Sequence, residues 1–451
     1  MAYLVIPHGV TADTATVWVG ALNEGLGQAR LALTPPAPLP PLPLPGRWAA
    51  QDGSYTLEYA RYSFAALEPR REYRAELFVG DARRGEATFT TLPGALPALD
   101  AKPFTVMLGS CFCERNDESG KLGNTFFNLP EGERPDIKLW CGDQVYLDAP
   151  WYHYSVHTHT RAELEVRHFE NYWRAWSQSG TAAGFNEALR RGANYFTADD
   201  HEFWNNAPNW ATAIRDSWRQ EGRDDWWSVA RSLFDAFQSD FSSGSAVIEF
   251  SVPPLSFFFA DTRVNRTPDL RQFMLDSDLE RLRGWVANLR GPGVLTLGQP
   301  LFAEKAGFWG KFTDRHLPDY KQFEELARII AGSRHSVVML TGDVHYGRIA
   351  SVQLGSGAEL IEVISSPTAL VDEKVGRKWS RPPGKYPSFE VQGAPSGEIV
   401  VEEAYTLVDD HFLTVEFADA GARVRMDIKA WPVIKPGERP RSQHIHRRFI
   451  Q

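Results

Sequence analysis

Cysteine is scarce in this 451-residue chain, which carries only Cys111, Cys113 and Cys141. An odd, small number does not describe a disulfide framework. Long apolar runs are also missing, and none approaches the length of a membrane span. The first residues, MAYLVIPHGVTADTATVWV, hold no basic stretch followed by an apolar core and a small-residue cleavage site. A cytoplasmic location is therefore expected, with an exported form whose leader has been removed as the alternative. Positive charge is not in excess: the formal net charge is −9, so global electrostatics invites neither nucleic acid nor an anionic membrane. Bound metals would still draw an anionic substrate locally. No Gly-rich loop ending in Lys-Ser or Lys-Thr is present, which disfavours nucleotide-driven phosphoryl transfer of the P-loop kind.

What is present is ordinary for a globular protein, 43% hydrophobic and 23% charged. The length fits roughly two or three domains. Fifteen tryptophans are many, and a good share fall between Trp151 and Trp227. Packing in a core or over a site is their simplest use.

Residues 1–98 alternate apolar and polar side chains in short runs such as ATVWVGAL, YARYSFAAL and EYRAELFV, parted by Gly, Pro and Asp turns. That pattern predicts an antiparallel β-sandwich. LEPRREYRAELFVGD looks like the immunoglobulin or fibronectin III pattern, in which a Tyr follows a turn into a late strand. Thr34–Trp48, rich in proline, reads as a polyproline-type surface loop. Leu92–Pro103 is the natural linker, with residues 99–451 forming the second domain.

From Phe104 onward apolar runs are unbroken, as expected of strands buried on both faces, and they alternate with helical periodicities. Several runs end in polar clusters. YFTADDHEFWNN, Tyr195–Asn206, stops in Asp199, Asp200, His201 and Glu202. These groups repel one another unless cations sit among them. Alone, the cluster is as readily a solvated acidic turn. Three other runs end similarly, however. FTVMLGSC delivers Cys111, a nucleophile, a metal ligand or a buried inert thiol. IKLWCGDQVYLD delivers Asp143, whose two oxygens can bridge two ions, with Tyr146 and Asp148 beyond. SVVMLTGDVH delivers Asp343 and His345, which share a face if the backbone is extended. LSFFFADTR ends in Asp261 and Arg263, an ion pair or a phosphate clamp. GVLTLGQPLF is tipped by Gln299. His153, His157 and His159 lie in a stretch without regular periodicity and read as surface or mouth-lining groups. His444 and His446 belong to a polar tail that reads as an exposed end, and Ala422–Trp431 reads as an edge strand. Carboxylates, thiol, phenol and imidazole at the ends of buried strands argue for a dinuclear metal site with a bridging carboxylate, suited to in-line displacement at phosphorus.

Six motifs, GSC at 109–111, GDQVY at 142–146, DDHEFWNN at 199–206, ADTR at 260–263, LGQPLF at 297–302 and TGDVH at 341–345, stand in the order seen in the PhoD-like family. These are alkaline phosphatase D relatives of the calcineurin-like metallophosphoesterases, and the resemblance covers nearly the whole chain. It implies an α/β (α+β) fold, a four-layer metallophosphoesterase β-sandwich flanked by helices and preceded by an Ig/fibronectin III-like sandwich. It implies that Cys111, Asp143 and Tyr146 bind ferric iron, and that Asp143 bridges to a second metal, calcium in relatives. Asp200 becomes a ligand of that second metal, Asp199 a group behind it, and His201 the acid or phosphate-orienting group. Asp343 and His345 complete the metal shells, Gln299 touches metal or substrate, and Arg263 is a substrate contact. The implied activity is hydrolysis of phosphate mono- or diesters by a metal-bound hydroxide. Two departures stand out: the family often has Tyr directly after the GD aspartate, where this chain has Gln144, and many relatives carry a twin-Arg leader that is not seen here.

Two other classes compete. A vestigial metal-binding protein acting through partner recruitment would be purified without metal. A Cys-dependent hydrolase using Cys111 would keep its activity after chelation.

Overall fold

The alternation in residues 3–90 folds as two antiparallel sheets. In the computed structural model, which describes all residues except 1, 150–159, 181–182, 212–213, 215–216, 241–243, 307–314, 371–380 and 404–408, one sheet has the order Tyr3–Val10, Ala15–Leu22, Thr56–Phe64, Leu42–Ala49. The other has the order Ala29–Thr34, Glu72–Val79, Ala82–Thr90. The Tyr expected after the turn is Tyr73. It is buried, and its hydroxyl accepts the N–H of Glu68 at 3.1 Å, as a tyrosine corner does.

The proline-rich stretch corrects its expectation. Its second part is not a loop but the strand Leu42–Ala49, paired antiparallel with Thr56–Phe64. It lies at the sheet edge, where Pro43 and Pro45, lacking N–H groups, interrupt least.

Two larger sheets follow. The first has the order Ala193–Thr197, Ile137–Cys141, Phe104–Gly109, His411–Asp419, Val424–Pro432, Gln443–Ile450, and its first three strands are parallel. The second has seven strands, and Leu255–Ala260, Gly293–Thr296, Val337–Thr341 and Glu359–Ile364 run parallel through its middle. Successive side chains divide between layers, as the pleat requires. Val106, Leu108 and Cys141 share a core with Phe257, Val294 and Val338 of the other sheet. Met107, Trp140 and Phe196 instead pack with residues of helices Arg161–Ser177 and Gln220–Phe237. On the far side, Phe258, Leu295 and Met339 pack with residues of helices Asp276–Ala287 and Phe323–Ala331. The result is a mixed α+β fold with several sheets. The N-terminal sandwich leans on this body: Trp18 Nε1 donates to Ala236 O at 2.8 Å, and Tyr195 Oη donates to Val10 O at 2.6 Å.

The C-terminal tail is a second correction. Gln443–Ile450 is a strand paired with Val424–Pro432, so the stretch expected at an edge is internal. Buried Asp427 pairs across the strands with Arg447 and lies 2.9 Å from Arg425, and opposite charges on facing strands favour that register. No helix among the described residues is long and apolar enough to cross a membrane.

Candidate metal centre

The parallel strands ending at Gly109, Cys141 and Thr197 in one sheet and at Thr341 in the other present their tips to one another. Cys111 N–H donates to Gly142 O at 3.2 Å, and Asp343 N–H donates to Ser110 Oγ at 3.1 Å. Just past the tips the backbone turns left-handed at four non-glycine residues: Cys111 (φ 55°), Asp143 (60°), Asp343 (70°) and His345 (56°). Such conformations cost on the order of 1–3 kcal/mol each and persist where surrounding structure imposes them. Large side chains buried along the strands, worth roughly 1.5–3 kcal/mol apiece, offset that cost. Gly142 (φ 82°) lets two tips meet, since a side chain there would collide with Asp199 Cβ. Gly342 is held against Ser110 in the same way.

Asp143 sits at the centre. Its Oδ2 lies 3.5 Å from Cys111 Sγ and 3.4 Å from Tyr146 Oη, while its Oδ1 accepts the His201 N–H at 3.1 Å. Three sets of ligand-type atoms each fall within 4.8 Å of one another: Cys111, Asp143 and His345; Asp143, Asp200 and His201; and Asp199, Asp200 and Asp343. Asp143 and Asp200 each belong to two sets, so the sets form a chain.

Other residues hold these groups. Glu202 accepts the backbone N–H groups of Asp143 (2.8 Å), Gln144 (2.6 Å) and Asp199 (2.9 Å), tying two tips together. Ser366 Oγ accepts the His345 N–H at 3.0 Å and lies 3.1 Å from Cys111 Sγ. Asp148 Oδ1 lies 2.7 Å from His201 Nδ1, and Asp148 Oδ2 accepts the Asn205 N–H at 2.8 Å. An ionised carboxylate only accepts, so the proton sits on Nδ1 and Nε2 is left for other partners. The His201 ring stacks on Tyr146 with centroids 4.2 Å apart.

Electrostatics make this cluster unstable as a set of bare anions. Burial pushes the Asp143 carboxyl well above the carboxylate range, and among its neighbours Asp200 and Glu202 add to the rise while His201 opposes it. Burial likewise raises Asp199 despite Arg263. Glu202 is pushed up to about 7 by burial, against the N–H groups it accepts. Burial, then Asp143 and Asp343, hold the Cys111 thiol well above its ordinary value, which disfavours a free thiolate nucleophile. Burial also raises Tyr146. Burial pulls the His201 imidazole down, yet Asp148, Asp200 and Asp143 together hold it well above its ordinary value. Cations among these groups would reverse the penalties, since a neighbouring positive charge favours every ionised ligand. Asp199 Oδ2, buried and without a hydrogen-bond partner among the described residues, is a free lone-pair donor for such an ion. The donor set fits metal.

The expected residues Cys111, Asp143, Tyr146, Asp200, His201, Asp343 and His345 therefore come together, and Asp199 joins them as a direct member of a ligand-type set. Asp343 and His345 do so for a different reason than extended backbone. Both are left-handed, and they enter different sets. Two expected substrate contacts face inward. Arg263 is 1% exposed, pairs with Asp199 and donates to Ala207 O at 2.6 Å; it forms an ion pair, but not with Asp261. Gln299 donates to Asp343 Oδ2 at 2.8 Å and accepts from Arg266 at 2.9 Å. A guanidinium only donates, so the amide oxygen, its metal-ligating atom, is turned to Arg266. His153, His157 and His159 lie outside the described residues. Sequence reasoning missed the roles of Asp148, Glu202, Ser110 and Ser366. Glu202 stands three residues after Asp199, the spacing of a capping box, and that signal was available.

No protein-family model and no curated protein matches the sequence. Among solved structures, one titled "Structure of PhoD" matches with a TM-score of 0.62 and 15% identity, covering 98% of this chain and 88% of that one. With the strand order and tip geometry above, this chain has the fold of PhoD.

Proposed function

We propose that the chain is a PhoD-like, metal-dependent phosphoesterase acting on phosphate mono- or diesters at a dinuclear centre. The observation that carries this reading is the position of Asp143, which belongs both to the set with Cys111 and His345 and to the set with Asp200 and His201. Cys111, Asp143, Tyr146 and His345 would hold one ion. Asp143, Asp200, Asp199 and Asp343 would hold the other. Thiol, phenol and imidazole with a carboxylate suit ferric iron, and a carboxylate-rich set suits calcium or another divalent cation. When bound, such a pair supplies an activated water and positive charge for the phosphoryl oxygens.

The chain's own residues do the rest. Asp148 fixes the tautomer of His201 and favours its protonated form, so that Nε2 can give a proton to the departing alkoxide. Glu202 keeps the two tips at a fixed separation. Arg266 orients Gln299, which orients Asp343. Residues 1–98 serve as an Ig/fibronectin III-like domain ahead of the 99–451 catalytic domain.

The test is reconstitution. Protein stripped by a chelator is assayed on 4-nitrophenyl phosphate and bis(4-nitrophenyl) phosphate before and after iron and calcium are returned. Activity restored only with metal supports the proposal. Protein inactive with every metal tried contradicts it, and activity that survives stripping favours the Cys111 hydrolase.

A further inference from the structure

A groove of about 420 Å³ is lined by the residues that follow Asp200 and Arg263 in the chain, within the range of about 300–1,000 Å³ typical of small-molecule sites. It is built from the same loop that carries Asp200. Trp204 and Pro208 line one part of it, and Trp227 of helix Gln220–Phe237 and Val264 line another. The two indoles meet edge to face, with centroids 5.9 Å apart at 77°. Phe203 stacks on Trp227 at 4.1 Å and holds its plane. Polar groups border the aromatic surface: Arg223 and Arg266, with the carboxylate of Asp224 and the amides of Gln220 and Asn265. Arg266 connects the groove to the centre, because this lining residue donates to Gln299, which donates to Asp343.

We infer that this groove receives the organic arm of the phosphate ester, and that the arm is a flat aromatic group. The inference rests on the phosphoesterase reading. Its physical basis is the combination of lining and place. The half-exposed Trp227 indole, braced by buried Trp204 and by Phe203, favours a planar ring by stacking on its open face or by edge contact. Bordering guanidinium groups tolerate a ring with an electron-rich face or the charge of a nearby phosphate. A small hydrophilic alcohol would gain little from the half-exposed Trp227 ring. The groove therefore selects on the substituent, while the metal centre selects on the phosphoryl group.

The test uses a matched pair of unreactive ligands, phenylphosphonate and methylphosphonate, titrated calorimetrically into the metal-loaded full chain. Phenylphosphonate is expected to bind at least tenfold more tightly. Trp227→Leu should erase most of that ratio while leaving methylphosphonate affinity unchanged. Because Trp227 is only half-buried but packs on Phe203, a second variant guards against misfolding: Gln220→Trp, at an exposed lining position, fills the groove and should lower the ratio in the same way. Equal affinities in the wild type, or a ratio unmoved in both variants, would overturn the groove assignment and leave the phosphoesterase reading intact. Binding of neither ligand, together with no ester hydrolysis, would overturn both.

Discussion

Asp148 Oδ1 lies 2.7 Å from Nδ1 of His201, and neither residue is open to solvent. Orientation and proton affinity of the imidazole are thus set by one carboxylate. If His201 is the acid, His201→Asn should lower kcat by about 10²–10⁴. The loss should be larger for alkyl esters than for 4-nitrophenyl esters, whose leaving group needs no proton. Asp148→Asn should lower activity by about 10–100-fold. It should also move the alkaline limb of kcat to lower pH, because Asp148 raises the His201 pKa and its removal lets the proton leave sooner. Equal losses for both ester types would show that His201 is no acid.

Arg263 and Asp199 form a pair buried at 1% exposure each. Arg263→Met should cost about 3–5 kcal/mol in urea unfolding of stripped protein, because an uncompensated carboxylate remains. Adding Asp199→Asn to it should recover much of that loss, and metal should rescue the single variant more than the double. Additive losses in the double variant would contradict the pairing.

Glu202 acts through four backbone N–H groups, those of Asp143, Gln144, Val145 and Asp199, rather than through substrate. In Glu202→Gln an amide NH₂ replaces one accepting oxygen, so at least one charge-assisted bond of about 1.5–3 kcal/mol is lost. Weaker metal retention, by about 10–100-fold, with unchanged far-UV circular dichroism is the expected outcome. Metal affinity equal to wild type would show that the two tips do not need this carboxylate.

Away from the site, burial pushes Asp117 up to about 7. Its folded pKa is raised, so the stability it contributes is fully present below the unfolded value near 4 and is lost as pH rises through 7. Asp117→Asn keeps an acceptor for the Leu122 N–H, which Asp117 receives at 2.8 Å. The variant should match the wild type near pH 4 and gain on it steadily to pH 7, by on the order of 3–4 kcal/mol at most. A difference independent of pH, read from urea midpoints, would contradict this.

Much of the fold and site was legible because burial and chemistry leave different marks. FTVMLG, IKLWC, ANYFT and VVMLT read as doubly buried strands and are, and their polar tips are the residues gathered around Asp143. What could not be read depends on three-dimensional pairing. Leu42–Ala49 has two prolines and becomes a strand only because it caps an edge. Gln443–Ile450 is basic and becomes a strand because Asp427 awaits Arg447 across the sheet. Left-handed backbone at Asp343 and His345 goes with N–H bonds to the hydroxyls of Ser110 and Ser366, which only the fold brings there. Arg263 looked as suited to phosphate as to a carboxylate, and only the fold shows which carboxylate lies within reach.

The central claim is that Asp143 joins two ions. It is tested most directly by counting metals per chain, by elemental mass spectrometry, in wild-type protein and in Asp143→Asn after equal exposure to iron and calcium. Two ions per wild-type chain, falling to one or none in the variant with esterase activity lost, is the predicted result. A wild-type chain that binds no metal, or a variant that keeps both ions and its activity, would contradict it.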